Sequence, residues 1–120
     1  MKILVRFAVI VALVAALGAV AYAAEVEGFL VDRACSAKIA PTNDQKAAAA
    51  HTRQCALMPD CVKSGYGVLT ADGKFITFDA AGNTKAEAAL KASKKPDNLK
   101  VQVSGTQTGT TMKVTSVKIL

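Results

Sequence analysis

The stretch Tyr66-Gly-Val-Leu-Thr-Ala-Asp-Gly-Lys-Phe-Ile-Thr-Phe78 decides how this chain is read. Tyr66–Thr70 and Lys74–Phe78 are short runs rich in aromatic and β-branched residues, the types that fit a pleated, half-buried surface. Ala71-Asp72-Gly73 separates them, and Asp-Gly supplies the positive φ that a tight hairpin turn needs. The stretch therefore reads as a β-hairpin.

Working outward, Val26-Glu-Gly-Phe-Leu-Val-Asp32 reads as an earlier strand, with a bulge or bend at Gly28. Beyond the hairpin, Asp79–Asn83 reads as a turn. Thr84 and Glu87 have the spacing of a capping box and open a short helix to about Ala92. Pro96-Asp97-Asn98 is a linker. Leu99, Val101 and Val103 alternate with polar residues in a fourth strand, Gly105–Gly109 turns the chain, and Thr110–Ile119 is a fifth strand. The apolar phase of that last strand shifts between Val114 and Val117, which predicts a bulge near Thr115–Ser116. The chain is thus mainly β. Its element order matches a small five-stranded OB-like Greek-key barrel, with a helical Cys/His insert between strands 1 and 2 and a short helix between strands 3 and 4.

The N-terminus carries a different signal. Lys2 and Arg6 precede an apolar run from Phe7 to Val20, and Ala21-Tyr22-Ala23 offers small residues where a signal peptidase reads. Residues 1–23 read as a secretory signal peptide and residues 24–120 as a single domain, so the protein is expected in the periplasm or outside the cell. An uncleaved anchor is the rival reading, and it would be the chain's one link to a membrane. The formal charge of +6 falls to +4 without Lys2 and Arg6. The remaining basic residues are scattered except for Lys91, Lys94 and Lys95, which suit a helix C-terminus. Aromatic residues are not interleaved with them, so nucleic acid is excluded as a partner.

Cysteine and histidine concentrate in the insert. All three cysteines and the single histidine fall in the order Cys35, His51, Cys55, Cys61. Pro41-Thr42-Asn43-Asp44-Gln45 reads as a helix entry, with Thr42 as cap and Gln45 completing a capping box. The alanine-rich run that follows predicts a helix from Asn43 to Ala56, ended before Pro59. On such a helix His51 and Cys55 stand at i and i+4 on one face.

Three chemistries fit these residues. In an exported chain, two of the cysteines can form a disulfide that staples a small domain. Alternatively, Cys35, His51, Cys55 and Cys61 are the donor set of a tetrahedral Cys₃His site for zinc, and the Met58 thioether in the same loop suits copper. Finally, His51 can activate Cys55 as a reactive thiol, with Asp44 or Asp60 orienting the imidazole. Tyr66, between two glycines, is a candidate ligand-stacking aromatic or a strand-end core residue. Asp32 and Asp79 read as turn-forming carboxylates at strand ends. The chain has no phosphate-binding loop, no c-type haem motif and no Ser-His-Asp order.

The motifs Gly28-Phe-Leu-Val-Asp32-x-x-Cys35, His51-x-x-x-Cys55, Cys61-Val-Lys-x-Gly65, Asp72-Gly73-Lys74 and Val101-x-Val103-x-Gly105 resemble a family of small exported bacterial proteins of unknown function. The resemblance covers nearly all of the chain after the signal segment. It implies export and an OB-like barrel, and no particular reaction. The expected role is a non-enzymatic binding module whose site is the insert. Its alternatives are a disulfide-stapled module docking an envelope protein, and a thiol redox protein.

Overall fold

In the computed structural model, which describes residues 20–120, one long strand organises the molecule. β1 (Tyr22–Asp32) pairs antiparallel first with β4 (Lys100–Thr108), from Tyr22↔Gln107 to Phe29↔Lys100. Its last residues pair instead with β2 (Tyr66–Leu69), from Phe29↔Leu69 to Asp32↔Tyr66. Gly28 stands at this handover, where a Cβ would collide with the Leu69 carbonyl. Only glycine lets the two backbones approach so closely.

The hairpin joins β2 to β3 (Phe75–Phe78), with Gly73 at φ 88° in its turn. β3 runs parallel to β5 (Thr111–Ile119), and β5 pairs antiparallel with β4. The strands close in the order β1-β2-β3-β5-β4. This is the five-stranded OB-like barrel that the element order predicts. In the β4–β5 ladder Ser104 faces Ser116 but Gly105 faces Val114, which leaves Thr115 as the extra residue of the expected bulge.

Several boundaries differ from the sequence reading. β1 begins at Tyr22, upstream of Val26, because β4 extends to Thr108 and offers it partners. The turn expected over Gly105–Gly109 narrows to Gly109-Thr110, with Gly109 at φ 58°. The expected signal segment lies outside the described residues, apart from its last positions, 20–23. No helix of the described residues is long and apolar enough to cross a membrane.

The barrel interior is aliphatic. Leu30, Val68, Ile76, Leu99, Val101, Val103, Met112 and Val114 fill it, with Tyr66 and Phe78 as its buried aromatics. The helix between β3 and β4 spans Ala80–Ala92 and adds Ala86 and Leu90 to this core. It starts four residues before the expected Thr84. Asp79 caps it, its Oδ1 accepting from Gly82 N at 2.9 Å and from Val114 N at 3.2 Å. Asp79 therefore both starts the helix and ties it to β5, and Thr84 falls inside, its hydroxyl donating to the Ala80 carbonyl. Glu87 pairs with Lys91 at 2.9 Å instead of closing a capping box.

The insert, residues 33–65, is a chain of short helical pieces. α1 (Arg33–Ile39) runs into a 3₁₀ turn (Ala40–Thr42), followed by α2 (Gln45–Ala50), α3 (Arg53–Ala56) and α4 (Pro59–Ser64). The single helix expected over Asn43–Ala56 is broken at His51-Thr52, both of which are extended. Two hydrogen bonds across the break show why. Asn98 N donates to the Ala49 carbonyl at 2.7 Å, and Arg53 N donates to the Pro96 carbonyl at 2.8 Å. The linker before β4 thus satisfies backbone groups that a continuous helix would pair within itself.

Caps shift accordingly. Asp44, not Thr42, caps α2, its Oδ1 accepting from Ala47 N at 3.0 Å. Thr42 belongs to the 3₁₀ turn, and Asn43 beyond it is left-handed at φ 47°. Gln45 reaches away to the Thr70 carbonyl at 3.0 Å, pinning the insert to the hairpin. Pro59 opens α4 at a first-turn position where its missing N–H costs nothing. A second apolar cluster of Val31, Ala48 and Leu69, with Ile39 and Phe75 against it, seats the insert on the outer face of β1 and β2.

Candidate metal centre

The end of β1 is buried on both faces. Leu30 points into the barrel, Val31 meets the insert, and Asp32 is fully buried where the strand hands over to α1. A buried carboxylate needs partners. Its Oδ2 caps α1 by accepting from Cys35 N at 2.9 Å. Its Oδ1 lies 2.8 Å from His51 Nε2, a contact between two almost fully buried side chains. Neither of these two atoms has an aligned hydrogen bond, so the contact is one of close approach.

This arrangement explains the break in the insert. A continuous helix would present His51 at one fixed angle on its surface. Ending α2 at Ala50 and starting α3 after the Thr52 cap turns the ring inward, to Asp32. Thr52 Oγ1 accepts from Cys55 N at 3.0 Å, which sets the turn that carries Cys55.

The predicted ligands converge, though not as one set of four. The donor atoms of Cys35, His51 and Cys55 lie within 4.8 Å of one another, and so do those of Asp32, Cys35 and Cys61. Cys35 belongs to both groups. The i, i+4 chelate expected on one helix face is replaced by donors from two segments that the break brings around. All three cysteines are free thiols; Cys61 is buried, and Cys35 and Cys55 are partly exposed.

Sequence reading missed Asp32 as a member of this centre. Asp44 and Asp60, the carboxylates considered as orienting groups for His51, are both exposed, and Asp44 is occupied in capping α2. The available signal was Asp32-x-x-Cys35, an N-cap residue followed by the backbone N–H it accepts from. Tyr66 is corrected as well. It is fully buried, and its hydroxyl donates to the Ala56 carbonyl at 2.6 Å. It has no free face for stacking a ligand, and it anchors α3 to the barrel.

Electrostatics follow from the burial. Burial pulls the Asp32 carboxyl upward, but His51 and the Cys35 N–H together outweigh it and hold the group below the usual carboxylate range. The Cys35 thiol is pushed up to about 12 by burial first, then by the charge of Asp32, with smaller contributions from Cys55 and Cys61. Burial, followed by Asp32, also raises Cys61. An activated thiol needs the opposite shift. At Cys35 and Cys61 the surroundings favour a protonated thiol, a preference that a bound cation would reverse.

No family model, curated protein or solved structure matches the chain. The functional reading therefore rests on its own residues: a small OB-like barrel whose first inter-strand connection carries a Cys/His cluster able to hold a metal ion.

Proposed function

We propose that this protein is an exported, non-enzymatic module, of the small bacterial family its motifs resemble, that binds one transition-metal ion in the insert. Cys35, His51 and Cys55 are the first ligands, Cys61 completes a tetrahedral set for zinc, and Asp32 orients the imidazole. One observation carries the reading. His51 lies almost wholly inside the protein against a buried carboxylate, while a ring nitrogen stays within 4.8 Å of two cysteine sulfurs. Metal-ligating histidines characteristically give their second ring nitrogen to such a carboxylate, which fixes the ring. A histidine that served only solubility would face water.

Copper(I) is the second reading, and Met58 favours it. Its thioether is half-exposed between Cys55 and Cys61, and soft sulfur donors select Cu(I). Metal analysis with intact mass of the protein purified from the exporting compartment separates the two. The expected result is one zinc or one copper per chain, lost in His51→Ala. Asp32→Asn keeps an acceptor for the cap but removes the charge, and should weaken metal affinity about 10–100-fold. A chain purified without metal and indifferent to His51→Ala would return the insert to a disulfide-stapled docking module.

A further inference from the structure

Cys35 has more than one partner within reach. Its sulfur lies within 4.8 Å of the Cys55 sulfur in one donor group and of the Cys61 sulfur in the other. Each of the three cysteines sits on a separate short helix, α1, α3 and α4, so small rotations suffice to change which sulfurs meet. A disulfide needs sulfurs about 2.05 Å apart with Cα atoms closer than about 7 Å. The α1–α4 pair is the better prepared. Arg33 N donates to the Gly65 carbonyl at 2.8 Å, and Ala34 N donates to Ser64 Oγ at 3.2 Å, so the first turn of α1 is already laced to the end of α4. The described residues have no comparable hydrogen bond between α1 and α3.

We infer that Cys35 is an exchangeable ligand, bound to metal in the reduced protein and joined to Cys61 in the oxidised one, so that thiol oxidation releases the ion. This rests on the metal-binding reading above. The bridge removes Cys35 from both donor groups and Cys61 from the second. His51, Cys55 and Asp32 remain, too few soft donors for a closed site. The odd number of cysteines then has a use. Cys55, partly exposed like Cys35, is the thiol through which an oxidant enters, and it is free again when the exchange ends.

The chemistry balances with a small-molecule disulfide as oxidant. In the metal-loaded protein the cysteine ligands are thiolates. Cys55 attacks one sulfur of the oxidant, breaking its S–S bond and expelling one small thiolate, which takes a proton from water. The Cys35 thiolate then attacks the Cys55 sulfur of the mixed disulfide and expels the second small thiolate, also protonated by water. The Cys61 thiolate attacks the Cys35 sulfur, forming the Cys35–Cys61 bond and releasing Cys55, which takes up a proton as a thiol. Two protein thiolates are oxidised to one disulfide, and one small disulfide is reduced to two thiols with protons from solvent.

The test uses the reduced, zinc-loaded mature protein titrated with oxidised glutathione. Zinc release is read with a chromophoric chelator, and the bridge is read by peptide mapping without reduction. Release should track the loss of two thiols, with a Cys35–Cys61 peptide and Cys55 left open to alkylation. Cys61→Ser should stop the exchange at Cys35–Cys55, and Cys55→Ser should slow bridge formation about tenfold without changing its partners. A Cys55–Cys61 bridge, a mixed disulfide that never resolves, or full oxidation with zinc retained would overturn the inference. A reduced chain that never takes up metal defeats the metal reading and the release step together. The peptide map then still decides whether Cys35 and Cys61 pair.

Discussion

The barrel and its insert are built on different physical terms. The barrel holds itself together by area: five strands share a continuous ladder around an aliphatic interior, and its helix seals that interior with Ala86 and Leu90. Removing apolar surface from water is non-directional, so many sequences with the right alternation would serve. The insert has little such area: the patch around Val31, Ala48 and Leu69, and Ala56 with Leu57 against the barrel core. It is held at points instead: Asp32 against His51, Tyr66 on the Ala56 carbonyl, and Arg53 on the Leu90 carbonyl at 2.6 Å and the Lys91 carbonyl at 3.1 Å. Isolated helices of this length do not persist in water. A region held by points is tuned by single groups, and here two of them, Asp32 and His51, also belong to the cluster able to hold a metal ion.

The largest expected effect probes the barrel. Leu99→Ala removes a fully buried core side chain and should cost about 2–5 kcal/mol in urea unfolding, with barrel and insert lost in one transition. A second transition at higher urea, with the insert outlasting the barrel, would mean that the insert is stable by itself.

On the proposed metal binding, removing the ion should act on the other region alone. At a free metal concentration about 100 times Kd, binding stabilises by about 2.7 kcal/mol. Chelation should abolish amide-exchange protection across residues 33–65 and leave β4 and β5 protected. Equal losses in both regions would dissolve the distinction.

A contact between the regions comes next. Tyr66→Phe keeps the ring and deletes the donor to the Ala56 carbonyl, at a cost of about 1–3 kcal/mol. It also changes the alkaline limb. Burial raises the Tyr66 phenol from its usual 10 to about 12, so the folded state favours the neutral form. The stability this contributes is complete below pH 10 and is lost as pH rises toward 12. The Tyr66→Phe variant should lack that share of the loss, and an unchanged alkaline profile would contradict the burial argument.

The smallest effect is local to α3. Thr52→Ala removes the acceptor for Cys55 N and should cost about 1 kcal/mol. Because the cap also sets the turn carrying Cys55, metal affinity should fall with it. Lost stability with unchanged affinity would detach the cap from the site.

How much was legible in the sequence follows the same division. Strand alternation in Leu99–Val103, the Asp72-Gly73 turn and the phase shift at Thr115 are local signals, and the structure repeats them with boundary changes of a few residues. The helix starts expected at Thr42 and Thr84 shift because a nearby aspartate takes each cap, Asp44 and Asp79. Asp79 did so with help from Val114, which lies on a distant strand.

By itself, then, the sequence determined an OB-like order of elements and the concentration of sulfur and imidazole in one connection. Both are matters of residue type and spacing, which act over a few positions. Only the tertiary structure decided that the insert breaks at His51, that Asp32 is its partner, and that Cys35 is shared between two donor groups. Those outcomes hang on the linker at Pro96 and Asn98, which takes up backbone groups at the break from far along the chain. Long-range satisfaction of buried polar groups leaves no periodic trace in a sequence, because the partner is set by the fold and not by the neighbours.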